Sequence, residues 1–198
     1  MKKIVLSLCV ALTATLASVA HKPVPPTNVE VDNAKSSFKW LGKKFTGEHF
    51  GTINVKSGSF AVDGGKLVGG SFVIDMNSIV CEDIKEAEYN GKLVGHLKSD
   101  DFFGVAKFPT ANFKIVSATV KAGNKYTITG DLTIKGTTKR ISFPAYVNVA
   151  NGKVAAQATF AIDRSDFNVK FGSSSFFDGL GEKVIYDDFN VTLNLVSK

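Results

Sequence analysis

YTITGDLTIKGTTKRISFPAYVNVANGKVAAQATFAI, Tyr126 to Ile162, is the stretch that decides the fold. Tyr126, Ile128, Gly130, Leu132 and Ile134 fall on one face, and Thr127, Thr129, Asp131, Thr133 and Lys135 on the other. After Lys135-Gly136 the pattern returns in Ile141, Phe143, Ala145, Val147 and Val149, and after Asn151-Gly152 in Val154, Ala156, Ala158, Phe160 and Ile162. A period of two means a strand with one face buried and the other wet. The two dipeptides favour tight hairpin turns, so three successive strands are expected to run antiparallel.

Working outward, Phe189, Val191, Leu193 and Leu195 continue the alternation, as do Phe113 and Ile115. Gly123-Asn124 and Gly64-Gly65 supply further turns. Nearer the start, Ser36 to Trp40 sets Phe38 and Trp40 on one face. Phe50 to Val55 and Ser59 to Asp63 read as two short strands around a Lys56-Ser57-Gly58 turn, and Lys66 to Asp75 as a longer one. Glu82 to Lys98 breaks the rhythm. Ile84, Ala87, Leu93, His96 and Leu97 sit there at helical spacings, which predicts one or two short helices. Phe171 to Glu182 reads as a loop or a single helical turn. The expected fold is all-β: an antiparallel sheet of about eight strands, closed or nearly closed into a barrel, with one or two short helices.

Residues 1–20 have the features of a secretory signal peptide: Lys2 and Lys3, an apolar run from Ile4 to Leu16, then Ser18-Val19-Ala20 as a cleavage pattern. The apolar run is too short to span a bilayer, and Cys9 lies inside it rather than at a lipidation site. Residues 21–28 read as an extended Pro-rich lead-in, and 29–198 as one domain. Cleavage after Ala20 predicts an exported or otherwise secreted protein. The net charge of +6 is spread out, with Lys43-Lys44 and Lys139-Arg140 as the adjacent basic pairs of the domain. That excludes the concentrated basic face of a nucleic-acid binder and leaves peripheral contact with an anionic membrane open. Cys81 alone remains after cleavage, so a monomer has no internal disulfide; its acidic neighbours Glu82 and Asp83 argue against a reactive thiol.

Eight strands enclose an interior that side chains fill or that holds one small ligand. The inward set is aromatic at Phe38, Trp40, Phe72, Phe113, Phe143 and Phe160, and small at Gly130, Ala145, Ala156 and Ala158. Small residues beside large ones leave room for an elongated cavity, or else interdigitate into a solid core. On the residues alone both readings stand.

Several segments resemble the YceI-like family. HLKSDDFF (His96–Phe103) with KFPT (Lys107–Thr110) is similar to its HLRSxDFF and YPT. GDLTIKGTTK (Gly130–Lys139) is similar to GDLTIRGxTK, and DRSDF (Asp163–Phe167) to NRSDF. The motifs occur in the family's order. The chain departs from the pattern at Gly95, where the family has an acid, at Lys98, where it has arginine, and in WLGKKFTGEH (Trp40–His49). The resemblance implies a lipocalin-like antiparallel barrel, exported to the periplasm and holding a polyisoprenoid or similar lipid, of the isoprenoid quinone or isoprenyl phosphate type, as carrier or buffer. No cofactor is implied.

On that reading the apolar lining comprises Phe38, Trp40, Phe72, Phe102, Phe103, Phe113, Leu132, Phe143 and Phe160. His96, Lys98 and Arg164 are the head-group candidates. His96 is expected to hydrogen-bond a loop, Arg164 to pair with Asp163 or Asp166, and Ser99-Asp100-Asp101 to make a turn or cap. Phe102 and Phe103 would plug or guard one end of the barrel. Phe176 and Phe177 would seal a loop or flank an opening. The competing readings are a metal-dependent or histidine-based enzyme centred on His96 and His49, and a solid-core interaction module. No HxH, HExxH or Cys cluster and no Ser–His–Asp spacing supports a catalytic or metal set.

Overall fold

The computed structural model describes residues 25–198. The expected leader, with Cys9, lies outside them. Within them, nine strands and one α-helix follow in order: β1 (Thr27–Glu30), β2 (Ser37–Lys44), β3 (Gly47–Asp63), β4 (Lys66–Cys81), α1 (Ala87–Lys98), β5 (Thr110–Ala122), β6 (Lys125–Ile134), β7 (Thr137–Ala150), β8 (Lys153–Asp163) and β9 (Ile185–Val196). β1 begins inside the expected lead-in.

Every pairing is antiparallel. The run β2-β9-β8-β7-β6-β5-β4 closes through β3, which pairs with both β4 and β2. Eight strands therefore form a closed barrel, which removes the free edges that invite aggregation. β1 is a ninth segment on the same edge of β3 as β2: it pairs with Ser59–Val62, whereas β2 pairs with Gly47–Thr52.

The hairpin from Tyr126 to Ile162 forms as its alternation dictates. Lys135 and Gly136 (φ 49° and 75°) turn β6 into β7, and Asn151 and Gly152 (φ 51° and 73°) turn β7 into β8. Both turns need left-handed backbone, which glycine and asparagine tolerate. The outward face carries cross-strand polar pairs, Thr129 with Ser142, the bidentate Asp131–Arg140, and Thr133 with Thr138. These pairs keep that face stable in water.

Lys56-Ser57-Gly58 is not a turn. β3 runs through it as one strand, with a bulge between Val55 and Ser57. A Cβ at Gly58 would stand 2.7 Å from the Phe72 ring and 3.2 Å from Val31, so glycine is there for close approach. β4 likewise extends past Asp75 to Cys81, because Ser78 donates to the Asp75 carbonyl (2.6 Å) and accepts from the Asn54 N–H (2.8 Å), bridging a large register shift.

One helix forms, not two. Residues 82–86 stay irregular, and the Asn90 amide donates to the carbonyls of Cys81 and Ile84. Ser99 ends the helix with its hydroxyl donating to the His96 carbonyl (2.8 Å), and Asp100 and Asp101 enter the turn that follows. The segment Phe171 to Glu182 holds turns and the start of a short 3₁₀ helix, Gly181–Lys183.

Candidate functional site

The barrel is hollow. A cavity of about 380 Å³ runs along its interior, within the range of small-molecule pockets. The solid-core alternative is therefore not what the chain builds. Phe38 and Trp40 of β2, Phe72 of β4 and Phe113 of β5 face this space. So do Leu132 of β6, Phe143 of β7, Phe160 of β8, and Phe102 and Phe103 of the α1–β5 connection. Phe143 and Phe160 stack at 3.9 Å between ring centroids, and Phe113 leans on Phe143 at 5.6 Å. This aromatic ladder stiffens one wall. Ala145, Ala156 and Ala158 line the cavity, and their small size keeps it open.

Gly130 behaves differently. Its inward side is filled by the Phe113 ring, which a Cβ there would approach to 2.4 Å. The alternation also places Ile53, Val55, Phe60 and Leu67 in the lining. The first pair continues a visible pattern; Phe60 was hidden by reading β3 as two strands, and Leu67 by the register shift that puts it out of phase with Phe72 and Ile74 in β4.

The polar lining is Lys43, Lys44, His49, His96, Arg164 and Tyr186. These residues belong to the β2–β3 hairpin, α1 and the two ends of the β8–β9 connection. In an up-and-down barrel those connections share one end, so the cavity has a polar mouth and an apolar shaft. Leu93 and Leu97 of α1 close over the shaft at that end.

Arg164 pairs with neither Asp163 nor Asp166. It is 4% exposed and donates to the carbonyls of Val169 (2.8 Å), Ile185 (2.8 Å) and Tyr186 (3.2 Å), with Asp187 3.2 Å away. Asp163 instead holds Ser165, and Asp166 faces Lys139. Burial draws the guanidinium's pKa down and the Asp187 carboxylate draws it up. Arg164 is thus a pin that fixes the β8–β9 connection, with its donors already engaged. Sequence spacing favoured near neighbours; the true partner lies across the β8–β9 ladder, which brings Asp163 level with Asp188.

Lys98 points away from the cavity, donating to the Asn77 carbonyl at 2.7 Å. His96 packs edge-on between Phe102 (4.9 Å) and Phe171 (4.4 Å), and its Nε2 lies 3.7 Å from Asp101. That separation is too long for the loop hydrogen bond expected of it. Phe176 and Phe177 remain substantially exposed beside this end, Phe176 under the Lys170 ammonium at 4.9 Å.

His49 Nδ1 stands 2.8 Å from Asp83 Oδ2. Burial alone would raise the Asp83 pKa, but the His49 ring, the Phe50 N–H and the Cys81 thiol together hold it down at about 2. Burial raises the Cys81 pKa, in keeping with an inert, buried thiol. His49 and His96 are thus tied to different acids. Among the described residues no three His, Cys, Asp or Glu side chains gather as metal ligands.

A family model described as the YceI-like domain matches residues 29–197. A UPF0312 protein of Shewanella denitrificans is 35% identical over 110 residues, 56% of this chain and 53% of that one. A UPF0312 protein of Vibrio parahaemolyticus is 29% identical over 180 residues, 86% of this chain and 90% of that one. Among solved structures, BcnA of Burkholderia cenocepacia is similar with a TM-score of 0.62 and 25% identity, covering 85% of this chain and 99% of its own. A polyisoprenoid binding domain from Saccharophagus degradans is similar in fold, with a TM-score of 0.61 at 16% identity, covering 87% and 98%.

Proposed function

The chain belongs to the YceI-like family, and we propose that it is an exported carrier or buffer for a polyisoprenoid or similar long-chain lipid. The observation that carries this is the shape and chemistry of the interior: a closed barrel, an apolar shaft of about 380 Å³, and polar groups at one end only. An amphiphile has the same polarity, one wet head and one dry tail. Burial of each CH₂ contributes about 0.8 kcal/mol, so a long tail binds firmly without specific polar contacts. The fold shared with a polyisoprenoid binding domain supports the reading.

Residues 1–20 are proposed as the leader removed on export, with the mature chain in the periplasm. A mature N-terminus at His21 in a periplasmic fraction is the expected result. The nine apolar residues singled out above are proposed as the tail contacts.

Trp40, the single tryptophan of the chain, lines the shaft and reports on it directly. Titration with a long-chain isoprenoid quinone is expected to quench its emission saturably at one molecule per chain. Quenching that rises linearly without saturation would reject the proposal.

A further inference from the structure

We propose that the inward face of the β2–β3 hairpin is an anion-binding niche, formed by His49, Lys44 and the gap at Gly42, that receives a phosphate-type head group. The inference rests on the carrier reading above.

Along β2, Phe38, Trp40, Gly42 and Lys44 share one parity, and along β3 His49, Ile53 and Val55 share the other strand's inward face; all line the cavity. Gly42 pairs directly with His49 in the register, and Lys44 with Gly47. A side chain at Gly42 would meet nothing within 4 Å. The hairpin therefore leaves open volume opposite the imidazole, just where shaft gives way to mouth.

Three other cations near this end are committed. Arg164 is spent on three carbonyls and Asp187, Lys43 faces Glu48 at 3.4 Å, and Lys98 is bound to Asn77. Among the described residues Lys44 has no acidic partner and His49 Nε2 has no hydrogen-bond partner. Asp83, ionised down to a pH of about 2, fixes the hydrogen on Nδ1 and so orients the ring. His49 Nε2 is then left facing the niche beside the Lys44 ammonium, and a phosphate monoester, which carries acceptor oxygens and an exchangeable proton, has a hydrogen-bonding group for each. The acids nearby do not oppose this. Asp83 is occupied by His49, Phe50 and Cys81, and Glu48 alternates to the outer face. Of Lys43 and Lys44, the adjacent basic pair noted in the sequence, Lys43 is paired with Glu48 and Lys44 has no acidic partner among the described residues.

The test compares farnesyl phosphate, farnesol and inorganic phosphate by calorimetry on the mature chain. Farnesyl phosphate is expected to bind at least about tenfold tighter than farnesol, and inorganic phosphate only weakly. Lys44→Ala and His49→Gln should each remove most of that preference while leaving farnesol affinity unchanged; Lys44 is exposed, so its variant keeps the fold. Equal binding of phosphate and alcohol to the wild type would overturn the niche and leave the carrier reading intact. A preference undiminished in the double variant would do the same. Inorganic phosphate binding as tightly as farnesyl phosphate would overturn the head-group assignment, and failure of both farnesyl compounds would sink the carrier reading along with it.

Discussion

The Phe113 ring lies against the bare backbone of Gly130, its diagonal neighbour across the β5–β6 ladder, so that a Cβ on Gly130 would come within 2.4 Å of the ring and 2.6 Å of the Lys114 carbonyl. The pair sets the width of one wall of the shaft. Gly130→Ala must therefore displace both a ring and a main chain, and overpacking of that kind costs about 1–3 kcal/mol. Urea denaturation is the measurement, and an unchanged midpoint would contradict the packing described.

Ala158 sits on the opposite side of the same balance, since its smallness keeps the shaft open. Ala158→Phe is expected to fill the cavity at a cost in stability of no more than about 3 kcal/mol, the upper end for a small-to-large core change. Saturable quenching of Trp40 by the isoprenoid quinone should fall at least about tenfold in affinity. Retained affinity would mean that ligand binds elsewhere than in the shaft.

Arg164 tests the distinction between a pin and a head-group contact. Lysine keeps the charge but not the planar fork that reaches the carbonyls of Val169, Ile185 and Tyr186. Arg164→Lys is expected to cost about 3 kcal/mol of stability. Below the unfolding transition its preference for farnesyl phosphate over farnesol should match the wild type. A fully stable variant with altered head-group preference would reverse the assignment.

Asp83 gives the fold an acid-sensitive contact. Its folded pKa of about 2 lies below the ordinary 3.8, so the unfolded chain takes up the proton first as the pH drops. The stabilisation is complete above about pH 4 and is lost as the pH falls towards 2, a contribution on the order of 1 kcal/mol for this partly exposed group. Asp83→Asn should lower stability at neutral pH and flatten the decline between pH 4 and 2. Parallel pH profiles for the two proteins would contradict the pairing with His49.

The strands from Tyr126 to Ile162 were legible because each residue's face follows from a period of two and each turn from its own dipeptide. Lys56-Ser57-Gly58 misled for a physical reason. Small and polar residues serve a bulge as well as a turn, and only the Phe72 ring and Val31 packed on Gly58 tell them apart. The lining aromatics were readable from parity, whereas Phe60 and Leu67 depend on the bulged register of β3 with β4. The mouth was least legible. Arg164 found Asp187, and His49 found Asp83, across 23 and 34 positions of chain respectively, through the β8–β9 and β3–β4 ladders, whose register no local spacing encodes.

The central claim is that one lipid chain occupies the shaft in the cell, and native mass spectrometry of the protein purified from its own host measures this most directly. The account predicts one noncovalent adduct per chain, a long-chain lipid that organic solvent releases and that protein with Ala158→Phe lacks. Wild-type protein that leaves its host at the bare mass of the polypeptide would contradict it.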